Sequence, residues 1–294
     1  MNIITQLQGG LGNQLFQYAT ARALSLEKKA ALLLDSGWYS KTYKNVTPRE
    51  LLLKELNTAG TLIPLWSAPK KPKRLRRIAQ NFWPITPFIY TESTPYRFDR
   101  RLNKSPAFLK QDLYLIGYWQ SYKYFESIKS ILEKEVVPLA PLAPQYKNYL
   151  EKIQSTHSAM VHVRRGDYVN LESANKIHGC ISLDYYLNGM NLLIENNRST
   201  HFFVFSDDLV WAKQNFPHQD RMTFIESLET RNAAVQELEL MKHCKSHLIA
   251  NSSLSWWGAW LGRNLNAMVI CPKHWTNDLS INLDDILPSK WIRL

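Results

Sequence analysis

Three polar clusters in the second half of the chain each follow a short apolar, β-prone run. Ala159-Met160-Val161-His162-Val163 leads into Arg164-Arg165-Gly166-Asp167, Phe202-Phe203-Val204-Phe205 into Ser206-Asp207-Asp208, and His247-Leu248-Ile249-Ala250 into Asn251-Ser252-Ser253. Open parallel α/β sheets bind ligands just outside the carboxyl ends of their strands, so three such endings would converge on one crevice. Arginine suits phosphate oxygens. An aspartate accepts two hydrogen bonds, which guanine can supply from N1–H and its exocyclic amine. Serine at a helix start donates to phosphate beside the backbone amides. The combination predicts a nucleotide-binding site.

Side chains repeat every two residues along a strand, so His162 and Arg164 share a face, suited to a base or ribose and a phosphate. Arg165 points the other way and is expected to pair with Asp167. The Arg-Gly-Asp tripeptide at 165–167 does not argue for integrin binding, because the sequence shows no sign of secretion. Asp207 and Asp208 read as a base-recognition site or a helix N-cap; metal ligation fits less well, since adjacent carboxylates at a strand end diverge. Near the N-terminus, Gly9-Gly10-Leu11-Gly12-Asn13-Gln14 follows a strand-like run and opens a helix. It lacks the Gly-Lys-Ser/Thr of a P-loop, and Leu15 breaks a Gly-x-Gly-x-x-Gly fingerprint. The segment reads either as a tight turn or as a place of close backbone approach to a ligand, with Asn13 and Gln14 as partners for a hydroxyl or phosphate.

The elements that position these groups follow from periodicity. Strand 2–6, a helix to about Glu27 with Leu15, Tyr18, Ala19, Arg22, Ala23 and Leu26 at helical spacing, and a strand over 30–34 make a β-loop-α-β start. Residues 41–106 are irregular and predict only short helices and loops. A strand is expected at 113–118 and a helix over 122–136. Pro138, Pro141 and Pro144 mark a linker, giving domains 1–150 and 151–294. Beyond it, strands at 159–163, 201–205, 221–225, 247–250 and 267–271 alternate with helices at 183–196, 208–215, 230–244 and 253–263, the pattern of a parallel sheet. The tryptophans at 256, 257 and 260 are expected to pack rather than stack on sugar. Residues 276–294 are expected to pack back on one domain.

Composition limits the function. The chain has 294 residues, 45% of them hydrophobic, enough for two ordinary cores. It contains no apolar run of transmembrane length and its first residues do not resemble a signal peptide. Three distant cysteines suggest reduced, buried thiols and offer no zinc spacing; with no His-Glu-x-x-His pattern, no metal site is expected. These features predict a cytoplasmic location. Residues 68–110 hold eleven basic and two acidic residues, and so carry most of the net +11. The densest part, Lys70-Lys71-Pro72-Lys73-Arg74-Leu75-Arg76-Arg77, reads either as a solvated loop or as a peripheral contact with an anionic membrane surface or acidic glycan. No stacking motif or reading helix supports nucleic acid.

Together, Gly9-Gly10-Leu11-Gly12-Asn13-Gln14-Leu15-Phe16-Gln17-Tyr18-Ala19, Val161-His162-Val163-Arg164-Arg165-Gly166-Asp167-Tyr168, Phe205-Ser206-Asp207-Asp208 and Asn251-Ser252-Ser253-Leu254-Ser255-Trp256-Trp257-Gly258-Ala259-Trp260 resemble the bacterial alpha-1,2-fucosyltransferases of glycosyltransferase family 11. The resemblance implies an α/β, GT-B-like enzyme of two Rossmann-like domains, the first on the acceptor side and the second binding GDP-fucose. It implies inverting transfer of fucose to O2 of a terminal galactose, as in surface polysaccharide or O-antigen synthesis, with no cofactor. It makes Arg164 the β-phosphate arginine, His162 a guanosine contact, Asp207 the guanine reader, Ser252 and Ser253 phosphate donors, and Asn13, beside Gly10 and Gly12, a residue that positions acceptor or donor. Leu254 stands where Phe is usual and Glu237 where Asp is common. The general base is left open between Asp167, Glu172 and none, since a dissociative path needs only weak base assistance. The rivals are a fucosyltransferase of other linkage, another GDP-sugar transferase, and a non-catalytic nucleotide- or glycan-binding protein.

Overall fold

A computed structural model describes residues 1–43, 47–64, 87–104, 111–166, 179–217 and 219–294. The chain divides into two compact units, Met1–Val136 and Val137–Leu294. The expected boundary at 150 is therefore displaced. Pro144 is not linker but the first residue of a helix, Pro144–Ser155, a position where its missing N–H costs nothing. That helix is tied into the second unit: Ala143 N donates to Gln236 Oε1 at 2.7 Å and the Tyr146 hydroxyl to Glu237 Oε1 at 3.2 Å.

The N-terminal unit is a five-stranded parallel sheet: β1 (Asn2–Gln6), β2 (Ala31–Asp35), β3 (Thr61–Ile63), β4 (Phe88–Thr91) and β5 (Leu113–Ile116), in the order β3-β2-β1-β5-β4. Ile3 and Ile4, successive residues and so on opposite faces of β1, are both buried, as expected where a parallel sheet is covered on both sides. Helix α1 (Leu11–Lys28) crosses from β1 to β2 and buries Leu15, Phe16, Tyr18 and Ala19 completely. It ends at Lys29 in the left-handed conformation, with the Ala30 amide returning to the Ser25 carbonyl. Strands β3 and β4 lie in the stretch read as irregular; three or four residues are too short to show a period. The helix expected over 122–136 is two 3-10 turns, Tyr122–Tyr124 and Glu126–Ile128, before α2 (Lys129–Glu135).

The C-terminal unit is a six-stranded parallel sheet: β6 (His157–Val163), β7 (Thr200–Ser206), β8 (Met222–Phe224), β9 (Ser246–Leu248), β10 (Val269–Cys271) and β11 (Ile292–Arg293), ordered β11-β10-β9-β6-β7-β8. Helices α3 (Pro144–Ser155), α4 (Leu183–Asn196), α5 (Leu209–Asn215), α6 (Ala233–His243) and α7 (Ser253–Trp260) accompany it. Ala159, Val161 and Val163 pack with Tyr186, Met190 and Phe202 in a core on one face of β6. The tryptophans pack, as expected: Trp256 and Trp257 are fully buried, and Trp256 stacks on Trp260 and meets Trp291 from the chain's last stretch. Of the cysteines, Cys244 and Cys271 are buried, but Cys180 is exposed, contrary to expectation. No helix among the described residues is long and apolar enough to cross a membrane.

Candidate active site

From β6 the chain runs outward through β7 and β8; it then returns to β6's other side and runs through β9, β10 and β11. The strand order therefore reverses between β6 and β9, the place where open α/β sheets form their ligand crevice. Arg164 leaves the carboxyl end of β6, and Ile249 to Ser253 leave that of β9. Ser252 is the N-cap of α7 and its side chain makes no capping bond, so its hydroxyl and that of Ser253 lie at a helix start suited to an anion. Tyr185, on α4, had no signal in the sequence. Its hydroxyl lies 2.6 Å from the Ile249 carbonyl and 3.3 Å from that of Ile270, fixing where β9 ends and the serine turn begins.

Asp207 is drawn toward Arg164. Its Oδ2 lies 2.9 Å from Arg164 Nη1, and its Oδ1 accepts from the Arg165 amide at 2.8 Å. Gly166 leaves room for this approach: a Cβ there would stand 3.0 Å from Asp207 Oδ2. Asp208 has a different job. It caps α5, accepting from the Trp211 amide at 3.0 Å, while its own amide donates to Ser206 Oγ at 2.8 Å. Arg165's described ionic partner is Asp208, at 3.5 Å, and its guanidinium lies 4.2 Å from the Trp211 ring centre. The expected partner Asp167, like Tyr168, Glu172 and the basic stretch 70–77, lies outside the described residues.

His162 is buried, with no hydrogen-bond partner on Nδ1. Burial pushes its pKa down to about 4; neighbouring Arg164 adds to the fall and Asp207 opposes it. At neutral pH it is an uncharged ring with an available nitrogen, which suits a nucleoside better than a phosphate.

The N-terminal sheet has its own reversal, between β1 and β5. Gly9, at φ 77°, turns the chain after β1, and Gly10 is the N-cap of α1, with Gly12 in its first turn. A Cβ on Gly9 would come within 2.8 Å of Asn13 Nδ2. Asn13 Oδ1 accepts from Gln120 Nε2 at 2.9 Å, a bond that links the turn after β1 to the turn after β5. Gln14, read as a possible ligand partner, is instead architectural. Fully buried, its amide donates to the Gly9 and Glu50 carbonyls and accepts from the Leu52 and Leu53 amides, leaving nothing for a substrate.

The sequence reading also missed Glu92, just after β4. Its two oxygens accept from the amides of Tyr118, at 2.7 Å, and Trp119, at 3.1 Å. Burial raises its pKa while these two bonds work the other way. Trp119 is fully buried at φ 57°, a conformation that costs a bulky residue about 1–3 kcal/mol.

The family model for glycosyl transferase family 11 matches residues 75–294. The chain is 35% identical to an alpha-1,2-colitosyltransferase of Escherichia coli, over 99% of this chain and 98% of that protein. It is 28% identical to the O-antigen biosynthesis glycosyltransferase WbnK of Escherichia coli, over 98% and 99% of the two. Among solved structures, POFUT1 in complex with GDP-fucose superposes with a TM-score of 0.51 at 12% identity, covering 92% of this chain and 97% of that one, which bears out the expected α/β, GT-B-like fold. A parallel sheet in each half and a family match across most of the chain agree: this protein belongs to glycosyl transferase family 11.

Proposed function

We propose that this protein is an inverting alpha-1,2-fucosyltransferase that moves L-fucose from GDP-fucose to O2 of a terminal galactose, in the making of a surface polysaccharide. The observation that supports this most is the placement of Arg164 and of the Ser252–Ser253 helix start at the carboxyl ends of neighbouring strands, on either side of the β6/β9 reversal. As the fucose C1–O bond breaks, its electron pair leaves with GDP and the diphosphate gathers charge. A positioned arginine and helix-start donors stabilise that charge most in the transition state. The galactose O2 bonds to C1 from the opposite face and gives up its proton, for which Asp167 and Glu172 are the carboxylate candidates. The Arg164–Asp207 ion pair adds a step: for Asp207 to read guanine, GDP must draw its carboxylate away from Arg164 as the phosphates claim the guanidinium. No metal is needed in this scheme, so activity should survive EDTA.

A second reading keeps nucleotide and linkage but changes the sugar, and the likeness to the colitosyltransferase favours it. Colitose is fucose without the 3-hydroxyl. A site that hydrogen-bonds that hydroxyl rejects the analogue by about 10⁴–10⁵, so the two donors are separable. The test is to offer GDP-fucose and GDP-colitose with a panel of β-galactosides and determine product linkage, with calorimetry of GDP against UDP and ADP. Equal affinity for UDP would sink the guanine assignment, and a product not linked at O2 would sink the linkage.

A further inference from the structure

The carboxyl edge of the N-terminal sheet carries a built arrangement that the donor chemistry leaves unused. The turn after β5, Gly117 to Gln120, lies at the β1/β5 reversal, where open parallel sheets place ligands. It is held against its own preference. Trp119 is in the left-handed region at φ 57°, and a Cβ on Gly117 would strike Glu92 Cβ at 2.4 Å. Two devices offset the strain: the Glu92 carboxylate on successive amides, and the buried Trp119 ring against Tyr90 and Tyr124. The Trp119 Nε1 and Ser121 Oγ atoms are buried without a hydrogen-bond partner, further polar cost accepted to keep this shape.

Two consequences face outward. Tyr118 is left 40% exposed, two residues from Gln120, while the Tyr39 hydroxyl donates to the Gly9 carbonyl at 2.8 Å. Gln120 reaches Asn13 at 2.9 Å. An aromatic face beside a pair of neutral amides is the chemistry of a sugar ring, whose C–H face packs on an aromatic while its hydroxyls exchange hydrogen bonds with amides. It is poor chemistry for a diphosphate, since neither amide carries charge.

We propose that the Gly117–Gln120 turn is a subsite for one neutral ring of the acceptor glycan, with Tyr118 as its stacking face, Asn13 and Gln120 as its hydroxyl partners, and Glu92 as the positioning residue that holds the turn. This rests on the transferase reading above, and the experiment separates the two. Wild type, Glu92→Gln, Tyr118→Ala and Tyr118→Phe are compared with lactose as acceptor and whichever GDP-sugar the wild type uses. Gln supplies one acceptor where two amides need one each, so Glu92→Gln should raise the lactose KM about tenfold or more while the donor KM moves less than threefold. Tyr118→Ala, a surface change that spares the fold, should do the same, and Tyr118→Phe should restore the wild-type KM because it keeps the ring. Chemical-shift changes at residues 117–120 on adding lactose without donor provide a readout independent of turnover. If wild type transfers sugar but Tyr118→Ala leaves the lactose KM unchanged, the subsite is refuted and the transferase reading stands. If wild type transfers nothing, the transferase reading fails, and the shift changes alone decide whether the turn binds a sugar; none at saturating lactose refutes that too.

Discussion

At the carboxyl edge of the C-terminal sheet, charged side chains hold one another: Asp207 grips Arg164, and Asp208 grips Arg165 over the Trp211 ring. At the same edge of the N-terminal sheet, polar side chains hold backbone: Gln14 fastens the loop at 50–53, and Glu92 fastens the turn at 118–119. Both edges lie at a reversal of strand order, so topology alone does not distinguish them. Chemistry does. Ion pairs can be exchanged for a charged ligand, whereas a carboxylate spent on two amides only sets a shape. The first arrangement suits a diphosphate that must be released; the second suits a neutral partner recognised by fit.

The sharpest way to break that contrast is Arg164→Ala. Transfer should fall about 10²–10³-fold, the usual cost of losing a transition-state charge contact, and Arg164→Lys should recover little because an ammonium lacks the planar fork. Steady-state kinetics on folded variants provides the check, and retention of more than about a tenth of turnover would remove Arg164 from its central role. Next comes the pairing itself. In a double-mutant cycle on GDP binding, Arg164→Ala and Asp207→Ala should be non-additive by about 0.5–3 kcal/mol; simple additivity would mean the ion pair is incidental to ligand binding.

The edges should also part company in acid. All eight histidines lie at or beyond residue 157. Burial pushes His162 and His247 down to about 4, below the ordinary value of about 6.5. Both stay neutral in the folded unit while the unfolded chain takes up protons, so their contribution is complete above about pH 6.5. It declines as pH falls toward about 4, by about 1.4 kcal/mol per pH unit for each histidine. Denaturation between pH 7 and 4, followed separately for the two units, should show the C-terminal unit weakening first, and His247→Gln should flatten its slope. The smallest effect concerns the basic stretch. Neutralising Lys70, Lys71, Lys73, Arg74, Arg76 and Arg77 should weaken sedimentation with anionic vesicles, at about 1 kcal/mol per charge, and leave turnover on a soluble galactoside nearly unchanged. Collapse of that turnover would move the stretch to the acceptor side.

The C-terminal edge was legible chiefly because β6 and β7 are long and apolar and run straight into charged residues. The runs before Arg164 and Ser206 each belong to seven-residue strands, long enough to show themselves, and the residues that follow are chemically unlike what precedes. The N-terminal edge was legible only at its glycines. Glu92 follows a four-residue strand too short for a period and binds backbone amides that any residue carries, whereas Tyr118 and Gln120 follow a strand the sequence does show but belong to no charged cluster. Gln14 shows the converse difficulty. It belongs to a diagnostic run yet serves as masonry, and nothing in its type separates a buried amide that binds a loop from one that binds a substrate. The division at Val136 was obscured by a proline that begins a helix as readily as it ends one.

The left-handed Trp119 also bears on the order of folding. Its conformation is unfavourable until Glu92 lies beside the turn, and β4 delivers Glu92 there only by pairing with β5, which sets the Glu92 amide on the Ile116 carbonyl at 2.8 Å. Sheet must therefore precede turn. The segment proposed to recognise sugar is then among the last parts of its unit to close and among the first to open. Local openings of this kind lie at the low end of a protein's stability spectrum, and amides just beyond β5 should exchange faster than those within it.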